Sequence, residues 1–211
     1  NSAYGYQALF SNSSGKYNQA VGTNALYSNS IGERNIAIGI GALYFNTAGS
    51  KLVAIGDSAL YHNTSDGNTA VGSAALYGNT FGASNTAFGY RALNANSIGS
   101  ENLAVGTQAL TSMLSGTNNV ALGSYAMQNK TSGNYNTAVG SDALLHNSGG
   151  SYSTAVGHQA LYNSISSNNT AVGAFALGET ITGFSNTAIG LFALQNNQAG
   201  DQNTAVGEQA L

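Results

Sequence analysis

Apolar and polar residues follow one another in a short phrase that returns along the whole chain. The phrase is Asn-Thr-Ala-Val-Gly, followed two residues later by Ala-Leu. It stands complete, once with Ile for Val, at 68–76, 136–144, 169–177, 186–194 and 203–211. Its glycine recurs every 17 residues, with two steps of 16. A fixed period this short is typical of a solenoid, whose units stack because none can bury its apolar face alone.

Positions in the repeat are numbered here from this glycine, position 0. Position −2 is Ala in all thirteen copies, and position −1 is apolar in all thirteen. Position −3 is most often Thr or another β-branched residue, the population expected on a pleated strand. Because side chains alternate along a strand, positions −3 and −1 share one face, while the Ala and the Asn at position −4 share the other. We expect position −1 to be core and the glycine to occupy a corner.

The remainder of the unit reads as a second short segment and a loop. Ala and Leu at positions +3 and +4 predict a second short strand or an extended segment, and the frequent Asn at +7 and Gly at +10 are turn residues. A helical hairpin is disfavoured for two reasons. Each unit holds several Gly and Asn, and no series of apolar residues at helical spacing continues through the loop. The sequence therefore predicts an all-β, parallel β-roll or β-helix solenoid with 17 residues per coil and about 12 coils.

Composition narrows the class further. Charged residues make up 6% of the chain, and there is no Pro and no Cys. The low charge with 42% hydrophobic residues predicts an ordered chain, and the absence of Pro fits a hydrogen-bonded ladder. A net charge of −3 with five basic residues leaves no stripe for a phosphate backbone, so no nucleic-acid partner is expected. No apolar run is long enough to predict a membrane span.

The repeat occupies residues 1–211 as a single solenoid domain. The chain opens on Asn1 and stops in mid-unit at Leu211, so we expect a fragment of a longer array. Apolar burial per coil is small against the entropy of ordering 17 residues. Burial of a second surface, between chains, would add to the stability of the fold. We therefore expect self-association as a closed symmetric oligomer. The small residues at position −2 are the expected close-packing contacts between chains: Ala70, Ala87, Ala104, Ala121, Ala138 and Ala155.

Candidate chemistry is sparse. No nucleophile set, nucleotide fingerprint or metal-ligand spacing stands out, so we expect no enzyme, no cofactor and no metal site. His62, His146 and His158 are expected to be ordinary loop residues. An aromatic stripe at position +5 is the one candidate ligand-binding surface, formed by Tyr27, Tyr44, Tyr61 and Tyr77, and it suits a glycan or a protein. The alternative is that these rings pack on the oligomer or cover the Leu.

At these phrases the chain resembles the YadA-like head repeats of trimeric autotransporter adhesins, whose units read roughly x-S-V-A-I-G-x-x-A-x-A. It is also similar to repeats of phage-type tail fibres and large bacterial surface proteins. The resemblance implies a left-handed parallel β-roll and a homotrimer. It places the protein outside the cell, anchored at the outer membrane or in a virion fibre, where it attaches to a host protein or glycan. The 17-residue unit is longer than the familiar head unit.

Two functions follow from the pattern. The leading hypothesis is a structural and adhesive shaft. The alternative is ice or crystal-surface binding by regular Thr and Asn arrays, and it requires the threonines to face outward on a flat surface. Apolar residues replace Thr in several copies, so we expect the threonines to point inward. They are Thr69, Thr86, Thr137, Thr154, Thr170, Thr187 and Thr204.

Overall fold

The structure is a computed structural model that describes all 211 residues. It contains thirteen strands of three residues each and no helix. The strands are β1 (Ser2–Tyr4), β2 (Gln19–Val21), β3 (Ile36–Ile38), β4 (Val53–Ile55), β5 (Thr69–Val71), β6 (Thr86–Phe88), β7 (Leu103–Val105), β8 (Val120–Leu122), β9 (Thr137–Val139), β10 (Thr154–Val156), β11 (Thr170–Val172), β12 (Thr187–Ile189) and β13 (Thr204–Val206). Each strand covers positions −3 to −1 of one repeat.

The strands form one parallel sheet whose order is the chain order, from β1 to β13. Equivalent residues pair, as Ala70 with Ala87. The two 16-residue steps keep this register, since Ala54 pairs with Ala70 and Ala155 with Ala171. The predicted β-solenoid is therefore confirmed. Twelve coils at about 4.8 Å per parallel step give a rod about 60 Å long.

Hydrogen bonds between coils continue around the corners beyond the strands. Of 142 backbone hydrogen bonds, only 24 lie within the strands. Many others join neighbouring coils, as when the Leu26 N–H donates to the Ala42 carbonyl at 2.9 Å and the Ser28 N–H to the Tyr44 carbonyl at 3.1 Å. Each coil is thus joined to the next on several sides.

The Ala-Leu segment is a turn, so the prediction of a second strand is wrong. In the coil of β2, Asn24 and Leu26 have φ values of 58° and 52°, in the left-handed region that a strand does not use. Positions +2 and +4 repeat this conformation in coil after coil. The alternation turns the chain through a corner while the Leu N–H still reaches the next coil.

The core consists of the alanines at −2 and +3 and the leucine at +4. Ala70, Ala75 and Leu76 have no exposed surface, and their equivalents join them in one cluster along the rod. Position −1, predicted to be core, lies on the outside, where Val105 is 38% exposed and Phe88 43%. The leucines share this filled interior with the alanines, so only a methyl group fits on the inner side of each strand. The prediction paired the right positions on each face but chose the wrong face as interior.

Buried asparagines form two further columns inside the coil, at positions −4 and +7. Asn85 Oδ1 accepts from the Asn102 N–H at 3.0 Å, and Asn85 Nδ2 donates to the Gly99 carbonyl at 2.8 Å. Asn96 Nδ2 reaches the same carbonyl at 2.9 Å and Asn79 Oδ1 at 2.7 Å. Buried amides need such partners, and the bonds that join Asn79 to Asn96 and Asn85 to Asn102 link neighbouring coils. Asn96 Oδ1 is buried without a partner. The Asn columns therefore fix the register of the stack.

One lysine replaces an asparagine in the second column. Lys130 has no exposed surface, and its Nζ donates to Asn147 Oδ1 at 2.7 Å and to the Gly150 carbonyl at 2.6 Å. Burial lowers the pKa of this amine to about 7. The column thus accepts a longer side chain that carries its donors to the same kind of acceptor.

Candidate functional site

The position −2 alanines are not an intermolecular surface. Ala70, Ala87, Ala104, Ala121, Ala138 and Ala155 are all completely buried within their own chain. Their methyl groups pack in the core of the coil and have nothing to present to another chain. The prediction that they make close contacts in an oligomer is wrong.

The predicted aromatic stripe is a continuous column of stacked rings, named here the aromatic ladder: Phe10, Tyr27, Tyr44, Tyr61 and Tyr77. Successive ring centroids are 5.3, 5.0, 5.1 and 5.2 Å apart, with interplanar angles of 3° to 15°. The coil spacing sets this geometry, because each ring occupies the same position one coil further along. The structure therefore brings all four predicted tyrosines together.

Stacking determines which part of each ring is available. Within the aromatic ladder the ring faces cover one another, so the rod presents ring edges and phenol hydroxyls. No hydrogen bond within the chain involves the four hydroxyls, and none of them is a buried unpaired atom, so all four are open to solvent. The result is a row of unpartnered hydroxyl groups, one per coil.

The pKa of Tyr61, in the aromatic ladder, is affected by the neighbouring phenols. Partial burial raises the pKa of Tyr61, and the nearby hydroxyls of Tyr44 and Tyr77 raise it further. The Tyr61 hydroxyl therefore keeps its proton, and can donate a hydrogen bond, at neutral pH.

A second aromatic column, which the sequence reasoning missed, lies beside the ladder. Phe45 and His62 at position +6 stack with ring centroids 5.2 Å apart and an interplanar angle of 9°. His62 stands edge-on to Tyr61, with centroids 5.0 Å apart and an angle of 78°. The signal was present in the sequence as two aromatic residues at one position of consecutive repeats. His62, expected to be an ordinary loop residue, is part of this cluster.

The other two histidines lie elsewhere on the rod. His146 Nδ1 is 3.1 Å from Asn129 Nδ2, and His158 packs edge-on against Phe175. No group of three or more His, Cys, Asp or Glu residues is placed to hold a metal ion.

In the three coils after Tyr77, position +5 is filled by side chains that bond to the preceding coil, and a tyrosine returns at this position only at Tyr162. Asn94 Nδ2 donates to the Ala74 carbonyl at 2.8 Å, and Thr111 Oγ1 to the Arg91 carbonyl at 3.1 Å. Gln128 Nε2 donates to Gln108 Oε1 at 2.6 Å. These coils keep the same fold without an aromatic ring at position +5. The aromatic ladder is therefore not a requirement of the solenoid.

The outer face of the sheet is a second distinct surface. Positions −3 and −1 both point outward, so the expectation that the threonines face inward is wrong, and no outward position carries a charged residue. The seven threonine hydroxyls make no hydrogen bond within the chain and are open to solvent. By contrast, the Thr80 and Thr131 hydroxyls at position +8 bond to the next coil at 3.0 Å each. The outer face thus combines free hydroxyls with partly exposed apolar side chains.

Cavities occur only at the two ends of the rod. One is lined by Ser2, Tyr4, Gln19 and Val21 together with neighbouring alanines, and the other by Phe192, Gln195, Asn196, Gln209 and Leu211. The side of the rod has no enclosed pocket. No helix able to cross a membrane is present.

Comparison of the chain with protein-family models, with curated proteins and with solved structures gave no match.

Proposed function

We propose that this chain is the structural and adhesive shaft or head of a surface-exposed fibrous protein. The supporting observation is the continuous coil-to-coil bonding: one register holds from β1 to β13, and the Asn columns reinforce it. Because neighbouring coils are bonded in one register along the whole chain, the stack forms an extended rod without a hinge. The attachment target is a host protein or glycan, and the site of action is the cell surface, outside the outer membrane, or a virion fibre, as the resemblance to adhesin heads implies.

Assembly is part of the proposal, and the outer sheet face takes the role first expected of the alanines. Val21, Ile38 and Ile189 are each more than 40% exposed there, on a strip without charge. Contiguous exposed apolar surface of this kind is typical of contacts between proteins. In the proposed left-handed homotrimer, this face packs against the neighbouring chains.

Molar mass in solution tests the assembly. Size-exclusion chromatography with light scattering is expected to give three times the 21.3 kDa chain mass. Val105→Lys combined with Ile189→Lys places two charges on the outer face and is expected to release single chains. Ser124→Lys, at an exposed corner, is the matched control and leaves the mass unchanged. A single-chain mass for the unmodified protein contradicts the homotrimer.

A second candidate, binding to ice or another crystal surface, is favoured by the outward threonines. Five successive strands, from β9 to β13, place Thr beside Val or Ile on the outer face, at the regular spacing of the sheet. Their hydroxyls are free to order water. The Asn arrays do not contribute, because they are buried.

Thermal hysteresis measures this activity. Thr154→Lys with Thr187→Lys is expected to abolish it, because two long charged side chains interrupt the flat face. Thr131→Lys, at an exposed position on a different corner, is expected to leave it intact. Absence of hysteresis in the unmodified protein removes this candidate and leaves the shaft.

A further inference from the structure

We propose that the aromatic ladder binds an uncharged, extended β-1,4-linked polysaccharide lying along the rod axis. This inference rests on the proposed adhesive function and names the ligand of its attachment surface. Three features of the aromatic ladder favour this ligand: its spacing, its free hydroxyls and its lack of charged side chains.

The spacing matches a straight polymer with one hydroxyl-bearing unit per step. Neighbouring rings of the aromatic ladder are 5.0 to 5.3 Å apart over four steps. An extended β-1,4-linked glycan advances by nearly this distance per sugar and runs straight. An α-1,4-linked glycan of the same sugars curls, so its hydroxyls leave the line of the rings after a few units.

The free hydroxyls supply the polar contacts. Each phenol both donates and accepts a hydrogen bond, and the tyrosine hydroxyls have no partner within the chain. Stacking holds every ring in place before any ligand arrives, so binding does not require these side chains to be ordered. Several weak contacts along one polymer then add up through their high effective concentration.

The absence of charged side chains on and beside the aromatic ladder favours a neutral ligand. None of the residues at positions +5 and +6 of these five coils is Asp, Glu, Lys or Arg: Phe10, Ser11, Tyr27, Ser28, Tyr44, Phe45, Tyr61, His62, Tyr77 and Gly78. Phe45, 43% exposed, lies beside the hydroxyl row and offers an apolar flank to the C–H groups of a sugar. A sugar chain presents this mixture of hydroxyls and C–H groups in every unit.

The downstream coils show that these hydroxyls are left free by the choice of residue. In the next three coils, the side chain at the same position donates a hydrogen bond to the preceding coil; these residues are Asn94, Thr111 and Gln128. The tyrosines leave their hydroxyls pointing to solvent. The aromatic ladder is therefore distinguished from the three coils that follow it by a continuous row of free hydroxyls.

Calorimetric titration of the full chain with cellohexaose, chitohexaose and maltohexaose tests the inference. The β-1,4-linked oligomers are expected to bind and the α-1,4-linked maltohexaose is not. Tyr27→Phe, Tyr44→Phe and Tyr61→Phe together keep the rings stacked but remove three hydroxyls, and are expected to weaken binding about tenfold or more. Tyr135→Phe with Tyr152→Phe is the matched control, since these two rings stack 5.2 Å apart on another corner.

Three outcomes overturn the inference: no binding of either β-1,4-linked oligomer, equal binding of maltohexaose, or undiminished binding by the triple Phe variant. Tyr27→Asn, Tyr44→Thr and Tyr61→Gln together are expected to abolish binding while folding normally, because other coils carry these residues at the same position. Circular dichroism and solution scattering on each variant report the rod separately. A rod that does not bind contradicts the ligand alone, whereas loss of the rod in the unmodified protein contradicts the shaft.

Discussion

At the scale of single residues, the glycine of each repeat is required for two separate reasons. Gly140 has a φ of 133°, a conformation that other residues rarely adopt. A Cβ added there would lie 2.5 Å from the Gly157 carbonyl oxygen and 2.7 Å from its carbon. The neighbouring backbone cannot move away, because it belongs to the next coil of the stack. A side chain is excluded by conformation and by space at once.

Gly140→Ala is therefore expected to destabilise the rod strongly. Backbone strain and overpacking each contribute about 1–3 kcal/mol, for a combined loss of about 2–6 kcal/mol in the free energy of unfolding. Urea unfolding followed by circular dichroism measures the loss. Ser141→Ala, one residue along and exposed, is the control and is expected to change little, since Ala174 holds that position in another coil.

Lys130 makes stability depend on pH. Its pKa is lowered to about 7 in the folded chain from 10.5, so the unfolded chain binds the additional proton between these values. Stability is therefore expected to rise with pH from about 7 upward and to be lowest below pH 7, by up to about 5 kcal/mol. The buried amine has two hydrogen-bond acceptors, which hold it in place in either protonation state.

Lys130→Asn is expected to raise the urea midpoint at pH 6 and to remove the rise between pH 6 and pH 9. Asn is the residue that most coils carry at this position, so the column of amides is restored. Lys51→Asn, which removes an exposed lysine, serves as the control and should leave the pH profile unchanged. An identical profile for Lys130→Asn and the unmodified chain would show that Lys130 is not the source.

At the scale of the elements, each strand places its smaller residue inside. The alternation of Thr, Ala and Val predicted correctly which positions share a face. Apolar character then suggested Val as the interior residue, but the narrow coil admits only a methyl group. The sequence held the clue in the variation of position −1, which accepts Tyr4 and Phe88, while position −2 accepts only Ala. Tolerance of large rings indicates an open side.

Adjacent substitutions in β7 distinguish the two faces. Ala104→Val adds two methyl groups to a filled interior and is expected to reduce stability by about 1–3 kcal/mol. Val105→Ala removes two methyl groups from a partly exposed position. It is expected to reduce stability by less than Ala104→Val does. Urea midpoints of the two variants give the comparison. The reverse order would place Val105 inside and Ala104 outside.

The Ala-Leu corner shows where local propensity fails. Leu has no preference for a left-handed φ, yet Leu26, Leu43 and their equivalents all adopt one. Hydrogen bonding explains the choice, since this conformation lets the Leu43 N–H reach the Ala59 carbonyl of the next coil at 3.0 Å. The determining contact lies 16 residues away in sequence, so no local pattern of residues indicates it.

At the scale of the whole molecule, the period determines most of the fold. It located every strand, the parallel pairing and the number of coils, because a strict repeat leaves stacking in register as the simplest way to bury each unit. The aromatic ladder was equally predictable, since position +5 repeats with the coil. The Phe45 and His62 column was missed because it spans only two coils, and the free threonine hydroxyls were missed because the two faces of the strand had been exchanged.

Distances between spin labels on equivalent residues test the central claim that the chain is a straight stack of coils in constant register. Cys is absent from the sequence, so Thr23→Cys paired with Ser124→Cys or with Glu208→Cys places labels at exposed position +1, six or eleven coils apart. With labelled chains diluted into unlabelled protein, the account predicts distances of about 29 Å and about 53 Å, in the ratio of the coil numbers. The straight stack would be contradicted if the two distances were similar, or if the labels eleven coils apart lay closer together than the labels six coils apart.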